Sequence, residues 1–317
     1  MDSTTRSHLR ASQGPARTRS TARTGARRAA AVLTGAACAA AATLLLSSAG
    51  AQDDRPQQGA DPAGDAAVLA AFAAAEVQVD RDGGAVAFPV AVEVRADALE
   101  YLLVTPLGAV HESLFVTESD PEILNAALLL VGAERGKNVE YTPIDPPPSR
   151  EEVRSGAPTH DVALPEGAPI FVYAAWREPA GAFDAETGTF PAETLHFHRV
   201  EDLVLDLERQ RTLRRHGWVY LGSRMVPGQR EGDAERFAAT ATGNLVCTTF
   251  FTDGDTLLTT AVPECTSQTI WFPNNWLLPA RGSELLFIAS RTELERVPVA
   301  FADTVPFVPE PAAAENR

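Results

Sequence analysis

The stretch Leu99–Gly136, LEYLLVTPLGAVHESLFVTESDPEILNAALLLVGAERG, decides the fold predicted for this chain. It opens with two apolar, strand-like segments, Leu99–Val104 and Ala109–Thr117, joined by a Pro-Leu-Gly turn. An apolar run of helical length follows them. The order predicts two strands feeding one helix, with the sheet of the later chain packed around it.

The start of that helix is marked by Asp120-Pro121. Aspartate caps the free N–H groups of a first turn, and proline is well tolerated at the first helical position. Between Ile123 and Val131 the only polar residue is Asn125. A short helix that is apolar nearly all round is typical of a protein core, and this one is too short for a bilayer, which needs about 20 residues. We therefore expect a buried core helix.

The first 51 residues have the composition of an export signal. A basic leader precedes the apolar run Ala29–Leu46, and Ala49-Gly50-Ala51 fits a small-residue cleavage site. We predict cleavage of residues 1–51 and a periplasmic or extracellular protein. Without cleavage, residues 29–46 would anchor the chain, but so alanine-rich a run is weakly hydrophobic for a permanent span.

The charge of the chain excludes several classes of partner. The sequence has 27 basic and 42 acidic residues, and seven of the arginines but only one aspartate lie in the first 51 residues. The remainder has a formal charge of −21. Nucleic-acid binding needs a basic face, and adsorption to anionic lipid needs basic clusters, so both are disfavoured.

The predicted elements describe one β-rich domain. Residues 52–75 form a polar linker, 76–301 the domain, and 302–317 a proline-bearing flexible tail. An acidic, proline-rich insertion near 143–169 predicts a mobile surface arm. About ten mostly antiparallel strands against one helix indicate an α+β class, a sandwich or open barrel with one central buried helix.

Six motifs follow one another in a fixed order over about 76–291. They are Leu99-Glu100-Tyr101-Leu102, His111-Glu112-Ser113-Leu114, Ala126–Leu130 with Gly132-Ala133, Trp218-Val219-Tyr220 with Gly222-Ser223, Asn244–Cys247, and Trp271-Phe272 with Asn274-Asn275. This ordered set resembles the YdjY-like domain family of exported bacterial proteins. The departures are a long insertion around 149–190 and Cys265. The resemblance implies a fold and an exported location, and it supplies no catalytic residues.

His111-Glu112 is the first candidate ligand site. In a strand, successive side chains point to opposite faces, so the two residues cannot both line one site without a bulge. The zinc-protease pattern H-E-x-x-H fails, because Phe115 stands where the second histidine is required. A structural role beneath the helix is favoured over a ligand site.

His196 and His198 are the candidate metal ligands. Two residues apart on a strand, both imidazoles share one face, as metal sites on sheets require. A zinc site needs a third ligand, which would have to come from His111, Glu112, His160, His216 or a nearby carboxylate. The alternative, an ordinary solvated strand face, is favoured.

Arg211, Arg214 and Arg215 belong to the one basic cluster of an otherwise acidic domain. Guanidinium groups bind carboxylates or phosphates in bidentate fashion, so the cluster is a candidate anion site. Neutralisation of the acidic residues just upstream is the favoured interpretation.

The segment Trp271–Trp276 combines aromatic rings with two amides, Asn274 and Asn275. If exposed, it would suit a sugar or peptide ligand. If buried, the tryptophans are core residues and the asparagines shape a turn, and this second interpretation is favoured.

Cys247 and Cys265 are the cysteines that remain after processing. Disulfides persist in an exported protein, and closing this loop would contribute about 3 kcal/mol in the chain-entropy model. A hairpin around Asp253-Gly254 would place Cys247 opposite Thr260 instead. The sequence does not decide whether Cys247 and Cys265 form a disulfide.

The sequence contains no P-loop, no G-x-S-x-G and no paired C-x-x-C. We therefore expect a non-enzymatic exported domain that binds a small ligand or an envelope protein partner without a cofactor. The alternative is a zinc-dependent envelope enzyme that uses His196 and His198 with His111 or Glu112.

Overall fold

The computed structural model describes residues 62–181, 184, 186–188, 190–228, 230 and 232–309. The predicted signal peptide, residues 52–61 of the predicted linker and the end of the tail lie outside the described residues. The rest of the predicted linker is not an extended tether, because Pro62–Ala74 is a helix whose Phe72 is buried. Within the described part of the chain, no helix is both long and apolar enough to cross a membrane.

The described residues form four α-helices and seventeen strands. The helices are α1 (Pro62–Ala74), α2 (Pro121–Leu130), α3 (Arg150–Arg154) and α4 (Ala238–Thr242). The strands are β1 (Gln78–Asp80), β2 (Ala85–Val92), β3 (Tyr101–Val104), β4 (Ser113–Val116), β5 (Glu140–Pro143), β6 (His160–Ala163), β7 (Pro169–Ala180), β8 (Ala192–Arg199), β9 (Val204–Asp206), β10 (Arg211–Thr212), β11 (Trp218–Tyr220), β12 (Met225–Val226), β13 (Arg236–Phe237), β14 (Asn244–Cys247), β15 (Leu258–Thr259), β16 (Trp271–Pro273) and β17 (Glu284–Ser290).

Eight of these strands close into a barrel-like sheet. The ring runs β2, β17, β7, β11, β15, β14, β3 and β4, and β4 pairs again with β2. Only β3–β4 and β14–β15 pair in parallel within this ring. The expected β-rich class is confirmed, and the sheet closes on itself where a sandwich or an open barrel was expected.

The side chains of β17 point alternately into the barrel and to its outer surface. Leu285, Phe287 and Ala289 join the interior cluster, whereas Leu286 and Ile288 join a second apolar cluster outside. This is the period of two that a strand buried on both faces must show. Both faces of this strand are therefore covered.

The cover of the outer face comes from the end of the predicted domain together with the start of the segment that we expected to be a flexible tail. Val299–Thr304 is a 3-10 helix, and Phe301 and Val305 are buried against the barrel. The N–H of Arg177 donates to the Pro306 carbonyl at 2.8 Å, which adds the chain to the edge of β7. The prediction of a flexible tail is therefore wrong for residues 302–309, because apolar residues between the prolines dock on the sheet.

Helix α2 packs on the barrel through one face. The side chain of Asp120 accepts a hydrogen bond from the N–H of Glu122, so the predicted cap is present. Leu124 and Leu128 line a small apolar cavity of about 20 Å³ among the inward side chains of the barrel. Leu129 is 44% exposed, so the helix is not covered on all sides.

The proline-rich insertion is a structured hairpin. Strand β5 pairs with β6, and α3 between them begins with a capping box in which Ser149 and Glu152 exchange hydrogen bonds. The arm is nevertheless exposed along both strands. The arm lies at the surface, as expected, and it has regular secondary structure of its own.

We predict that Leu128→Asp prevents folding, because it places an unpaired carboxylate in the apolar interior at a cost of more than about 4 kcal/mol. Leu129→Asp on the same helix is the matched control, because Leu129 is 44% exposed. The measurement is the yield of soluble protein and its urea denaturation. Equal stability of the two variants would mean that the packing of α2 is not essential.

Candidate functional site

A concave site in the described structure lies where the β7–β8 hairpin ends. It is a groove of about 370 Å³, lined by Arg95, Glu178, Pro179, Gly181, Phe190, Leu278, Pro279, Ala280, Val308 and Pro309. We call it the Glu178 groove. Its walls come from four parts of the chain that are far apart in sequence: Arg95 after β2, the β7–β8 hairpin, the loop after β16, and the segment Val308-Pro309. Only the tertiary fold brings them together.

Arg95 fixes one wall of the Glu178 groove. Its guanidinium donates to the side-chain and main-chain oxygens of Asn275 and to the carbonyls of Leu278 and Pro279. The side chain of Asn275 in turn donates to the Arg95 carbonyl at 2.6 Å. Because its donors are used in this way, Arg95 holds the loop in shape and is not an anion site.

Glu178 is the ionisable group in the groove whose position is set by aromatic neighbours. One carboxylate oxygen accepts from the Trp176 indole N–H at 3.0 Å, and the other lies 3.2 Å from His196 Nε2. The His196 ring stacks on Trp176 with centroids 4.9 Å apart. Trp176 is fully buried, whereas Glu178 is 35% exposed. A rigid, accessible carboxylate results.

His198 lies on the same face of β8 as His196, with ring centroids 6.0 Å apart. Burial, and then the neighbouring imidazole, lower the pKa of His198. Its Nε2 atom is buried without a hydrogen-bond partner among the described residues. The two histidines therefore share a face, as their spacing requires.

The expected third metal ligand is not supplied. Among the described residues, no group of three His, Cys, Asp or Glu side chains could hold a metal ion. His196 is paired with Glu178, and His111 is paired with Glu112 at 3.8 Å. The proposed combination of His196 and His198 with His111 or Glu112 is therefore not assembled, because β8 and the turn before β4 place these side chains in separate groups.

Comparisons with known proteins gave no match. Neither a family model, nor a curated protein, nor a solved structure matches the chain. The resemblance to the YdjY-like domain family therefore stays a prediction.

His111 and Glu112 do not lie in a strand. They form a 3-10 turn, Val110–Glu112, directly before β4, and the side chain of His111 is 84% exposed. The Glu112 carbonyl accepts from the N–H of Glu100 at 2.9 Å. Their expected position on opposite strand faces is wrong, because the turn interrupts the extended chain. The main chain of Glu112 therefore links the turn before β4 to the segment before β3, which is a structural role.

The basic cluster is occupied by carboxylates. Arg211 and Arg214 donate to the two oxygens of Glu264 at 2.7 and 3.0 Å. Arg215 forms two hydrogen bonds with Asp202. An external anion would have to displace these partners, so the candidate anion site is internally neutralised. Glu264 was not among the expected partners, because it lies about 50 residues further along the chain.

The aromatic segment is split between core and surface. Trp271 is fully buried and Asn274 is 7% exposed, whereas Trp276 is 86% exposed. The Asn274 amide donates to the Asp202 carbonyl at 2.8 Å, and Asn275 is bound to Arg95. The favoured interpretation is wrong for Trp276, because the loop that Arg95 holds turns this side chain outward.

Both cysteines are buried free thiols. Cys247 lies 3.2 Å from the Thr259 hydroxyl, and Cys265 lies 3.1 Å from the Thr260 hydroxyl. Burial raises the pKa of both thiols. The disulfide that the sequence left open is not formed in this structure, and neither thiol is suited to act as a nucleophile.

A buried ion pair lies beneath β8 and β11. Arg199, only 5% exposed, donates two hydrogen bonds to the carboxylate of Glu201, which is fully buried. The same carboxylate accepts from the Trp218 indole at 3.1 Å. Glu293 binds the outer side of the guanidinium at 3.0 Å. In the sequence Glu201 is only one of the acidic residues upstream of the basic cluster, because its burial depends on tertiary packing.

His216 continues this polar network into the core. Its Nδ1 lies 2.9 Å from the Arg214 carbonyl and must donate, because a carbonyl only accepts. Nε2 therefore accepts from the Thr260 hydroxyl at 3.1 Å. Burial lowers the pKa of His216, so the neutral tautomer is the folded form.

We predict that Arg199→Leu destabilises the fold by about 3–5 kcal/mol, because it leaves the Glu201 carboxylate buried and unpaired. Arg199→Leu/Glu201→Leu should recover a large part of that loss, since both charges are then gone. The measurement is the free energy of unfolding in urea. A double variant no more stable than the single one would show that the pair is not the dominant interaction.

We predict that folding stability falls as the pH drops below the ordinary His value of 6.5. The unfolded chain binds a proton there that neutral His216 does not, so acid favours unfolding. His216→Gln should lose less stability than wild type between about pH 7.5 and about pH 5.5. Urea denaturation across this range is the measurement, with His198→Gln as the second histidine variant. If the free energy of unfolding depended equally on pH in the wild type and in both variants, the prediction would be contradicted.

Proposed function

We propose that the protein is an exported, non-enzymatic binding domain whose ligand site is the Glu178 groove. The observation that carries the proposal is the groove itself, which at about 370 Å³ falls in the range of small-molecule sites, about 300–1,000 Å³. The basic leader and apolar run of the first 51 residues support an exported location.

The lining of the groove favours binding over catalysis. Among its described residues there is no hydroxyl, thiol or amine side chain that could attack a substrate. Glu178 and His196 form a carboxylate–imidazole pair, but no nucleophile among these lining residues stands beside it. Mostly apolar walls with one fixed polar group are the usual design of a site that orients a ligand.

The chemistry of the groove selects a ligand with a hydrogen-bond donor or a positive charge. Glu178 is the acceptor that faces this space, and the donors of Arg95 are engaged by the opposite wall. Pro179, Phe190 and Pro279 supply apolar contact. A small apolar amine fits both requirements, and a carboxylate of the same shape does not.

The test compares benzylamine with benzoate as probes in titrations followed by NMR chemical shifts. We predict that benzylamine binds in the groove and that benzoate does not. Glu178→Gln should weaken benzylamine binding about tenfold or more, because a hydrogen bond to a charged group contributes about 1.5–3 kcal/mol. The amide keeps an acceptor for the Trp176 indole, so the fold is retained.

A variant that blocks the groove tests whether benzylamine binds there or elsewhere on the surface. Ala280→Trp places a large ring in the Glu178 groove and should abolish benzylamine binding. Ala163→Trp on the exposed strand β6 is the matched control and should leave binding unchanged. Benzylamine binding that survives both Glu178→Gln and Ala280→Trp would refute the groove as the ligand site.

A further inference from the structure

Strand β8 has an open backbone edge. It pairs with β7 over all eight of its residues, Ala192↔Ala180 to Arg199↔Tyr173. No other strand pairs with it, and no main-chain hydrogen bond among the described residues satisfies its second edge. The residues from Ala192 to Leu195 are exposed on both faces of the strand.

Such an edge normally carries features that prevent pairing with another strand. Charged side chains (lysine above all), proline, a bulge or a covering loop are the usual ones. The sequence of β8, AETLHFHR, contains no proline or lysine, its one exposed acidic residue is Glu193 near the start, and its register against β7 runs without a bulge. An uninterrupted eight-residue edge is long enough for a complete strand pair.

From this edge we infer that the protein forms a twofold dimer in which β8 of one copy pairs antiparallel with β8 of a second copy. The proposal is independent of the Glu178 groove. A second copy fits because the edge is self-complementary about Leu195. Antiparallel pairing centred on this residue matches Thr194 with His196 and Glu193 with Phe197, so no two acidic residues meet.

Leu195 is the apolar centre of the proposed contact. It is 51% exposed on the face where Phe197 stacks on Tyr173 with centroids 4.8 Å apart. A twofold axis at Leu195 sets the two leucine side chains against each other, about 4.5–5.5 Å apart at Cβ. Glu193 of each copy pairs with Phe197 of the other, so the two Glu193 carboxylates stay apart from each other.

The other face of the pair supplies a polar contact. His196 Nε2 is held by Glu178 at 3.2 Å, which leaves its Nδ1 edge to the Thr194 hydroxyl of the second copy. The interface is small, so association is expected to be weak and concentration-dependent.

The test measures the molar mass of the purified protein by light scattering and sedimentation from micromolar to near-millimolar concentration. We expect a monomer–dimer equilibrium. Leu195→Lys should weaken the dimer about tenfold, because two like charges meet at the axis. Leu207→Lys is the matched control, since Leu207 is 50% exposed and lies outside β8, and it should leave the equilibrium unchanged.

A cysteine cross-link tests the register. Leu195→Cys should give a covalent dimer on oxidation, because the axis brings the two sulfurs together, whereas Leu207→Cys should not. The natural thiols Cys247 and Cys265 are buried, so the wild-type protein is the control for cross-linking without an introduced cysteine. A wild-type monomer at every concentration, or a dimer that persists in Leu195→Lys, would overturn the proposal.

Discussion

The pairing of β4 with β2 is the constraint on which the rest of the structure depends. It joins Ala91 to Val116 and Val92 to Phe115, and it turns a curved sheet into a ring. A closed ring removes the unpaired edges that an open sheet exposes. Its interior is then filled by inward side chains and by Leu124 and Leu128 of α2.

Strands that leave the ring create the surface features of this protein. The β7–β8 hairpin continues past the point where β17 stops pairing with β7, and the chain near Pro306 joins its other edge. The Glu178 groove forms between this extension and the loop that Arg95 holds. The open edge of β8 is a second result of the same extension, so both proposals depend on a part of the sheet that lies outside the barrel.

The buried polar groups next to β7 and β8 form a network in which each charge has a fixed partner. Glu201 is fully buried but satisfied by Arg199 and Trp218, and His216 has both ring nitrogens engaged. A buried charge is tolerated only when it is paired and hydrogen-bonded. Glu178 in the groove differs from Glu201, because its carboxylate keeps access to solvent and does not need a buried partner.

The sequence by itself determined the features that depend on neighbouring residues. The capped helix at Asp120, the β-rich class and the shared face of His196 and His198 follow from local capping and strand periodicity. Only the tertiary structure decided which strands pair, and therefore that Glu264 binds the arginines, that Trp276 faces solvent and that Glu178 lines a groove. These contacts join residues tens to more than a hundred positions apart, and periodicity along one strand carries no information about its partner.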